Sequence, residues 1–74
     1  MIHAGMRCVV VAAHPAFADD IGRRVVVVRV EGNTVWTYRD EPPTYRTNAR
    51  GRRVAATWPR AHLTCYGLDQ LQPA

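Results

Sequence analysis

The sequence predicts an all-β domain of five short antiparallel strands, with one short helical turn before the last strand. The stretch from Ile21 to Arg39 is dominated by β-branched and aromatic residues, which is typical of a long β-hairpin. Shorter valine-, alanine- and threonine-containing runs flank it and are bounded by turn-forming residues. Because no stretch carries a convincing amphipathic helical period, an antiparallel sheet or barrel is the expected architecture.

The size of the chain allows one small domain. It has 74 residues, of which 47% are apolar and 22% charged, a balance typical of a folded globule and not of a disordered segment. Residues 1–5 are predicted to form a flexible N-terminus and residues 69–74 a flexible tail. The folded domain is therefore expected to span residues 6–68.

The strands follow from the local patterns. A first strand, apolar on both faces, is predicted at 7–12, a loop at 13–20, and the hairpin turn at Glu31-Gly32-Asn33. Residues 40–51 contain Pro42-Pro43 and are predicted to form an irregular loop. A fourth strand is expected at 52–57, one helical turn at 59–62 and a fifth strand at 63–66.

One feature of the core is expected at this point and another stays open. Both alternating sets of valines between 25 and 30 are apolar, so the inward face of the second strand is ambiguous. Trp36 and Trp58 are expected in the core because large aromatic side chains are usually buried.

The order of these pieces resembles the Src-homology-3-like (SH3-like) barrel. The likeness is carried by short motifs: Cys8-Val9-Val10, Ile21-Gly22-Arg23 before the valine run, Trp36, and Pro59 to Leu63 before the last strand. The same motifs look like those of small uncharacterised proteins of phages and prophages. The resemblance implies a fold and a phage or prophage origin, but no activity. The loop AHPAFADDIG lacks the Ala-Leu-Tyr-Asp-Tyr motif of the polyproline-binding domains.

Catalytic, metal and cofactor chemistry are not predicted. His3, Cys8, His14, His62 and Cys65 lack metal-ligand spacing, and no Gly-rich phosphate loop is present. His62 and Cys65, which are three residues apart, have no third group that would orient them as a catalytic pair. We therefore expect a protein that is not an enzyme and holds no metal or cofactor.

The cysteines and apolar runs indicate a compartment. Two cysteines are too few for a disulfide framework, so a cytoplasmic protein with reduced thiols is expected. If the first and last strands are neighbours, a Cys8–Cys65 disulfide is an open alternative. The longest apolar runs are far shorter than the roughly 18 residues of a membrane helix, so no membrane contact is predicted.

The strongest functional signal is a basic cluster in the second half of the chain. Residues 1–42 hold equal numbers of arginine and acidic residues, whereas residues 43–74 hold five arginines against Asp69 alone, which accounts for the net charge of +4. Arginine pairs with phosphate or carboxylate in a two-point geometry, and aromatic faces stack on bases. The predicted partner-binding residues are Tyr45, Arg46, Arg50, Arg52, Arg53 and Arg60.

Two functions remain open for this cluster, besides a merely solvated surface. The first is a small interaction module that binds a host or phage protein through the basic loop at 40–53 or through a sheet edge. The second is a nucleic-acid-binding barrel that uses the same arginines on phosphates. A valine-rich edge would also allow a homodimer.

Overall fold

The computed structural model describes residues 1–74 and is mostly β. Seven strands run through the chain: β1 (Arg7–Val10), β2 (Arg24–Glu31), β3 (Thr34–Arg39), β4 (Thr44–Thr47), β5 (Arg53–Thr57), β6 (Thr64–Gly67) and β7 (Leu71–Pro73). Three short 3₁₀ helices span Pro15–Asp20, Pro59–Ala61 and Leu68–Gln70. The predicted β-rich architecture is thus confirmed.

The strands form two separate antiparallel sheets. The main sheet has the order β6-β3-β2-β1-β7, and β4 pairs only with β5. The predicted hairpin is its centre: Glu31 pairs with Thr34 across a two-residue turn in which Gly32 has a φ of +58°. A glycine with positive φ at the first turn position suits the twist of two antiparallel strands.

A β-bulge settles which valines face the core. Val25 and Val27 are each 1% exposed, and the register to β3 shifts between Val27 and Arg29. The extra residue at the bulge places Val30, and not Arg29, on the same face as Val27. Val30 therefore joins the inward residues, whereas Val26 and Val28 of the same alternating set lie outside the core.

Seven residues form the hydrophobic core on this inner face of the sheet. They come from β1, β2, β3, β6 and β7: Cys8, Val10, Val25, Val27, Val35, Tyr66 and Leu71. Thr37 is also fully buried, and its hydroxyl donates a hydrogen bond to the backbone oxygen of Thr64 at 3.0 Å. The buried hydroxyl is therefore satisfied.

The predicted core positions of the two tryptophans are wrong. Since Val35 and Thr37 point inward, alternation along β3 places Trp36 on the outer face, where it is only partly buried and the Arg29 guanidinium lies 4.7 Å from its ring centroid. Trp58 follows β5 and is 46% exposed. The two tryptophan side chains thus lie outside the core, whose one aromatic member is Tyr66.

The C-terminal tail belongs to the sheet, unlike the loose tail that the sequence suggested. Leu71 is buried and pairs with Val10, and Val11 N donates to Gln70 O at 2.8 Å. Only three residues, Leu68 to Gln70, lie between Gly67, at one edge of the sheet, and Leu71, at the other.

This short connection bends the sheet. The four Cα–Cα steps from Gly67 to Leu71 span at most about 14 Å, whereas the outer strands of a flat five-stranded sheet lie about 19 Å apart. The sheet must therefore curl toward closure. The edge strands β6 and β7 do not pair with each other, so no closed barrel is formed.

The N-terminus also contacts the domain. Gly5 N donates to Val27 O at 2.8 Å, and Ile2 packs against the core. Ordered contacts therefore begin before residue 6, the start that the sequence predicted.

The two thiols lie on different strands of the main sheet. β1 does pair with the last strand, but that strand is β7, whereas Cys65 lies on β6 at the opposite edge. Both cysteines are free, and burial raises the pKa of the Cys8 thiol. The alternative of a Cys8–Cys65 disulfide is therefore wrong for this fold.

Leu71→Ala is expected to lower the free energy of unfolding by about 2 kcal/mol, because a buried leucine leaves a cavity. Leu63→Ala is the matched control: Leu63 is 45% exposed, and its loss should change the stability by less than about 0.5 kcal/mol. Urea denaturation followed by circular dichroism measures both. A loss of stability for Leu71→Ala as small as that for Leu63→Ala would contradict a contribution of Leu71 to the core.

Candidate binding arm

Residues 44–57 form a two-stranded ribbon, here called the arm. β4 and β5 pair antiparallel, with Tyr45 opposite Ala55 and Thr47 opposite Arg53. At its base the hydroxyls of Thr44 and Thr57 are hydrogen-bonded at 2.7 Å. The prediction of an irregular loop across residues 40–51 is therefore wrong, and the predicted fourth strand pairs with β4 instead of joining the main sheet.

The arm is almost entirely solvent-exposed. Every residue of β4 is exposed, and in β5 only Val54 is partly buried. The longest dimension of the molecule is 46 Å, and its radius of gyration of 14.4 Å exceeds the about 11 Å expected for a compact chain of this length. The chain is therefore elongated, as expected for a domain with a projecting ribbon.

The tip of the arm is held by one asparagine. Asn48 Oδ1 accepts hydrogen bonds from the backbone N–H groups of Arg50 at 2.9 Å and Arg52 at 3.0 Å. Gly51 donates from its N–H to Asn48 O at 3.0 Å and has a φ of +77°, a conformation that favours glycine. The turn therefore presents Arg50 and Arg52 in a fixed backbone geometry.

The two faces of the arm each carry an arginine. Tyr45 and Arg53 share one face, and the Arg53 guanidinium lies 4.4 Å from the Tyr45 ring centroid. Arg46 and Val54 are cross-strand partners on the opposite face. The cation–π contact orders Arg53 along the ribbon and leaves Tyr45 46% exposed.

No acidic residue balances these charges within the arm. Residues 44–57 contain four arginines and neither aspartate nor glutamate. The ion pairs of the structure, Arg7–Asp40, Arg23–Asp20 and Arg29–Glu31, all lie outside it. The arm arginines therefore keep their full charge toward solvent.

Five of the six predicted site residues lie on the arm, and Arg60 does not. Arg60 belongs to the second 3₁₀ helix, with its guanidinium 5.4 Å from the Tyr38 ring centroid. It lines a cleft of about 420 Å³ near the base of the arm, together with Trp58, Glu41 and neighbouring residues between 40 and 60. Sequence reasoning missed Trp58 as an exposed aromatic; its place just before Pro59, after the strand ends, was the available signal.

A second cleft, of about 290 Å³, lies between the first 3₁₀ helix and β6. Tyr66 Oη donates to Asp20 Oδ2 at 3.3 Å, and Asp20 also pairs with Arg23 at 3.4 Å. Burial, the charge of Asp20 and this hydrogen bond raise the pKa of the Tyr66 phenol. The contact ties the long loop before β2 to the edge of the sheet.

Neither cleft forms a metal centre, since no group of three or more histidine, cysteine, aspartate or glutamate side chains converges anywhere in the structure. None of the helices has the length and apolar character that crossing a bilayer requires.

The fold and the site define a small curved β-sheet domain that carries a basic two-stranded arm. The family model described as the KlcB C-terminal domain matches residues 7–72. The chain therefore belongs to the KlcB C-terminal domain family.

Two curated relatives from Escherichia coli support this assignment, and both are called Protein KlcB. One is 44% identical over 73 residues, which cover 95% of this chain and 16% of the relative. The other is 46% identical over 71 residues, which cover 92% and 18%. The chain thus spans about a sixth of the length of these relatives, and no solved structure matches it.

Tyr66→Phe is expected to reduce the loss of stability at alkaline pH. Because the folded-state pKa of Tyr66 is raised, its contribution is fully present below the ordinary tyrosine value of about 10 and is lost as the pH rises through the folded-state value. Urea denaturation at a series of pH values should show a shallower alkaline decline in the variant. The comparison is between the slopes of the free energy of unfolding against pH, so a loss of stability of the variant at neutral pH does not affect it. Identical slopes in the two proteins would contradict a link between the raised pKa of Tyr66 and stability.

Proposed function

We propose that this domain is a non-enzymatic interaction module that binds an acidic partner through the arm. The observation that carries the proposal is a projecting ribbon with four arginines, no acidic residue and no ion pair. Arginine forks bind carboxylates and phosphates in two-point geometry, so both an acidic protein surface and a nucleic-acid backbone suit this chemistry.

The exposure of the arm supports a binding role. A two-stranded ribbon is only marginally stable alone, and here it buries almost nothing against the main sheet. A partner that covers the ribbon would supply the missing burial. Tyr45 is the natural anchor, since tyrosine is enriched at the centres of interfaces, and Arg60 would contribute from the base.

The open edge of β6 offers a protein partner a second binding surface. This strand is paired only with β3, and its residues Thr64 and Cys65 are exposed. An unpaired edge can accept a strand from another chain, including a second copy of this one. This route would not depend on the arginines of the arm.

The sheet itself supports a finer proposal, an SH3-like barrel that stays open. In favour of it are the strand order β6-β3-β2-β1-β7 and a 3₁₀ helix that links the two edge strands. The β4–β5 arm would then be an extension inserted between the third and fourth strands of the barrel. A cytoplasmic location and a phage or prophage origin are further proposals that rest on the sequence alone.

The arm is tested by comparing two variants that each lower the net charge from +4 to +2. Arg50→Ala with Arg52→Ala removes two arginines from the tip, whereas Arg7→Ala with Arg24→Ala removes two from the main sheet. Fluorescence anisotropy with labelled polyglutamate and labelled single-stranded DNA at low salt measures binding. The tip variant should lose about tenfold in affinity and the sheet variant much less.

Equal losses in the two variants would mean that net charge and not the arm determines binding. The absence of binding of the unmodified protein to either polyanion at low salt would overturn the proposal.

A further inference from the structure

We infer that the arm enters a groove of double-helical DNA, with phosphates contacted on both sides of the ribbon. The inference rests on the proposed function, an arm that binds an acidic partner, and names the partner and the way in which it is bound. Three features of the arm support it: the distribution of arginines over its faces, the size of its other side chains, and the rigidity of its tip.

The arginines of the arm point to both sides of the ribbon. Arg46 lies on the face that it shares with Val54, and Arg53 lies on the opposite face beside Tyr45. A flat acidic surface would meet only one of these faces. A groove has two walls, and in a nucleic-acid duplex both walls are lined with phosphates, so both arginines can be neutralised at once.

The arm is slim enough for this placement. Apart from tyrosine and arginine, its strands carry only threonine, alanine and valine. The major groove of B-form DNA is about 12 Å wide and admits a two-stranded β-ribbon. The major groove of A-form RNA is deep and narrow, so the same dimensions favour DNA over double-stranded RNA.

The tip is suited to lead the ribbon into the groove. Asn48 fixes the backbone around Arg50 and Arg52, so less conformational entropy is lost when these residues are immobilised. Both arginines would then lie deepest, near the base edges. An arginine fork in the major groove pairs with the two acceptors of guanine.

Single substitutions on the two faces distinguish a groove from a flat surface. Arg46→Ala and Arg53→Ala should each weaken binding to a labelled duplex DNA, and each should reduce the slope of log affinity against log salt by about one. The slope for the unmodified arm should be about −3.6 if all four arginines contact phosphate, and smaller to the extent that the tip contacts bases instead. Arg24→Ala, an exposed arginine on β2, is the matched control and should leave the slope unchanged.

Two further variants control for structural disturbance of the arm. Because Arg53 packs on Tyr45, its loss can disturb the ribbon itself. Arg46→Lys and Arg53→Lys keep the charge and should restore the salt slope. If only one face of the arm affects the slope, the groove is excluded.

Competing ligands and probes separate the inference from the proposed function. Duplex DNA should bind more tightly than duplex RNA, single-stranded DNA or polyglutamate, and methyl green, which occupies the major groove, should compete. Equal binding of all four polyanions, or preference for polyglutamate as for an acidic protein, would overturn the groove and leave the proposed function standing. Failure of every probe to bind would overturn both the groove inference and the proposed function.

Discussion

Alternation along the β2–β3 hairpin is the constraint on which the rest of the structure depends. β1 pairs with β2 and β6 with β3, and β7 joins through β1, so every strand of the main sheet is placed by this hairpin. The bulge after Val27 keeps Val30 on the inner face, where it meets Val35. Without the extra residue, Arg29 would fall on the core side and an unpaired charge would be buried there at high cost.

A core of only seven buried residues limits the stability of the domain. A domain of this size buries only about 60% of the surface that its unfolded chain exposes, less than a larger domain does, so each additional apolar contact matters. The curl of the sheet brings Leu71 over the inner face, next to Val10. The three-residue connection between Gly67 and Leu71 thus adds a strand and a buried leucine without another layer of structure. The Tyr66–Asp20 contact, in turn, fixes the long loop before β2 against the same end.

The parts of the fold that could be predicted are those in which burial leaves a sequence pattern. The central hairpin has both a dense β-branched run and a Gly-Asn turn, so its position followed from the sequence. The second strand of the arm, β5, was predicted from its alternation, but β4 left no such pattern, because it buries nothing and Thr44–Thr47 follows Pro42-Pro43 directly. β7 is three residues long, with one buried side chain, which is too short for alternation to be recognised. Trp36 was placed inside because its size suggested burial, while its parity relative to Val35 determined the opposite face.

The candidate site was easier to predict than its architecture, because the arginines are close together in the chain whatever structure they adopt. What the sequence could not show is how charge is distributed in space. The arm carries a charge of +4 and the whole chain has the same net charge, so the other sixty residues are neutral. Six arginines and six acidic residues lie there, and three of the acidic residues pair with Arg7, Arg23 and Arg29.

Distance then keeps the two regions electrically separate. From Thr44 to Thr47 the extended strand β4 covers about 10 Å, and the turn that follows carries Arg50 farther from the main sheet. Interactions between exposed charges are largely screened beyond about 8 Å at physiological ionic strength. The acidic residues, which all lie outside the arm, therefore do little to weaken the field at its tip. Because the ribbon projects, its four arginines form a local positive charge that is separated from the acidic residues. A polyanion that approaches the arm meets this charge before it meets the rest of the domain.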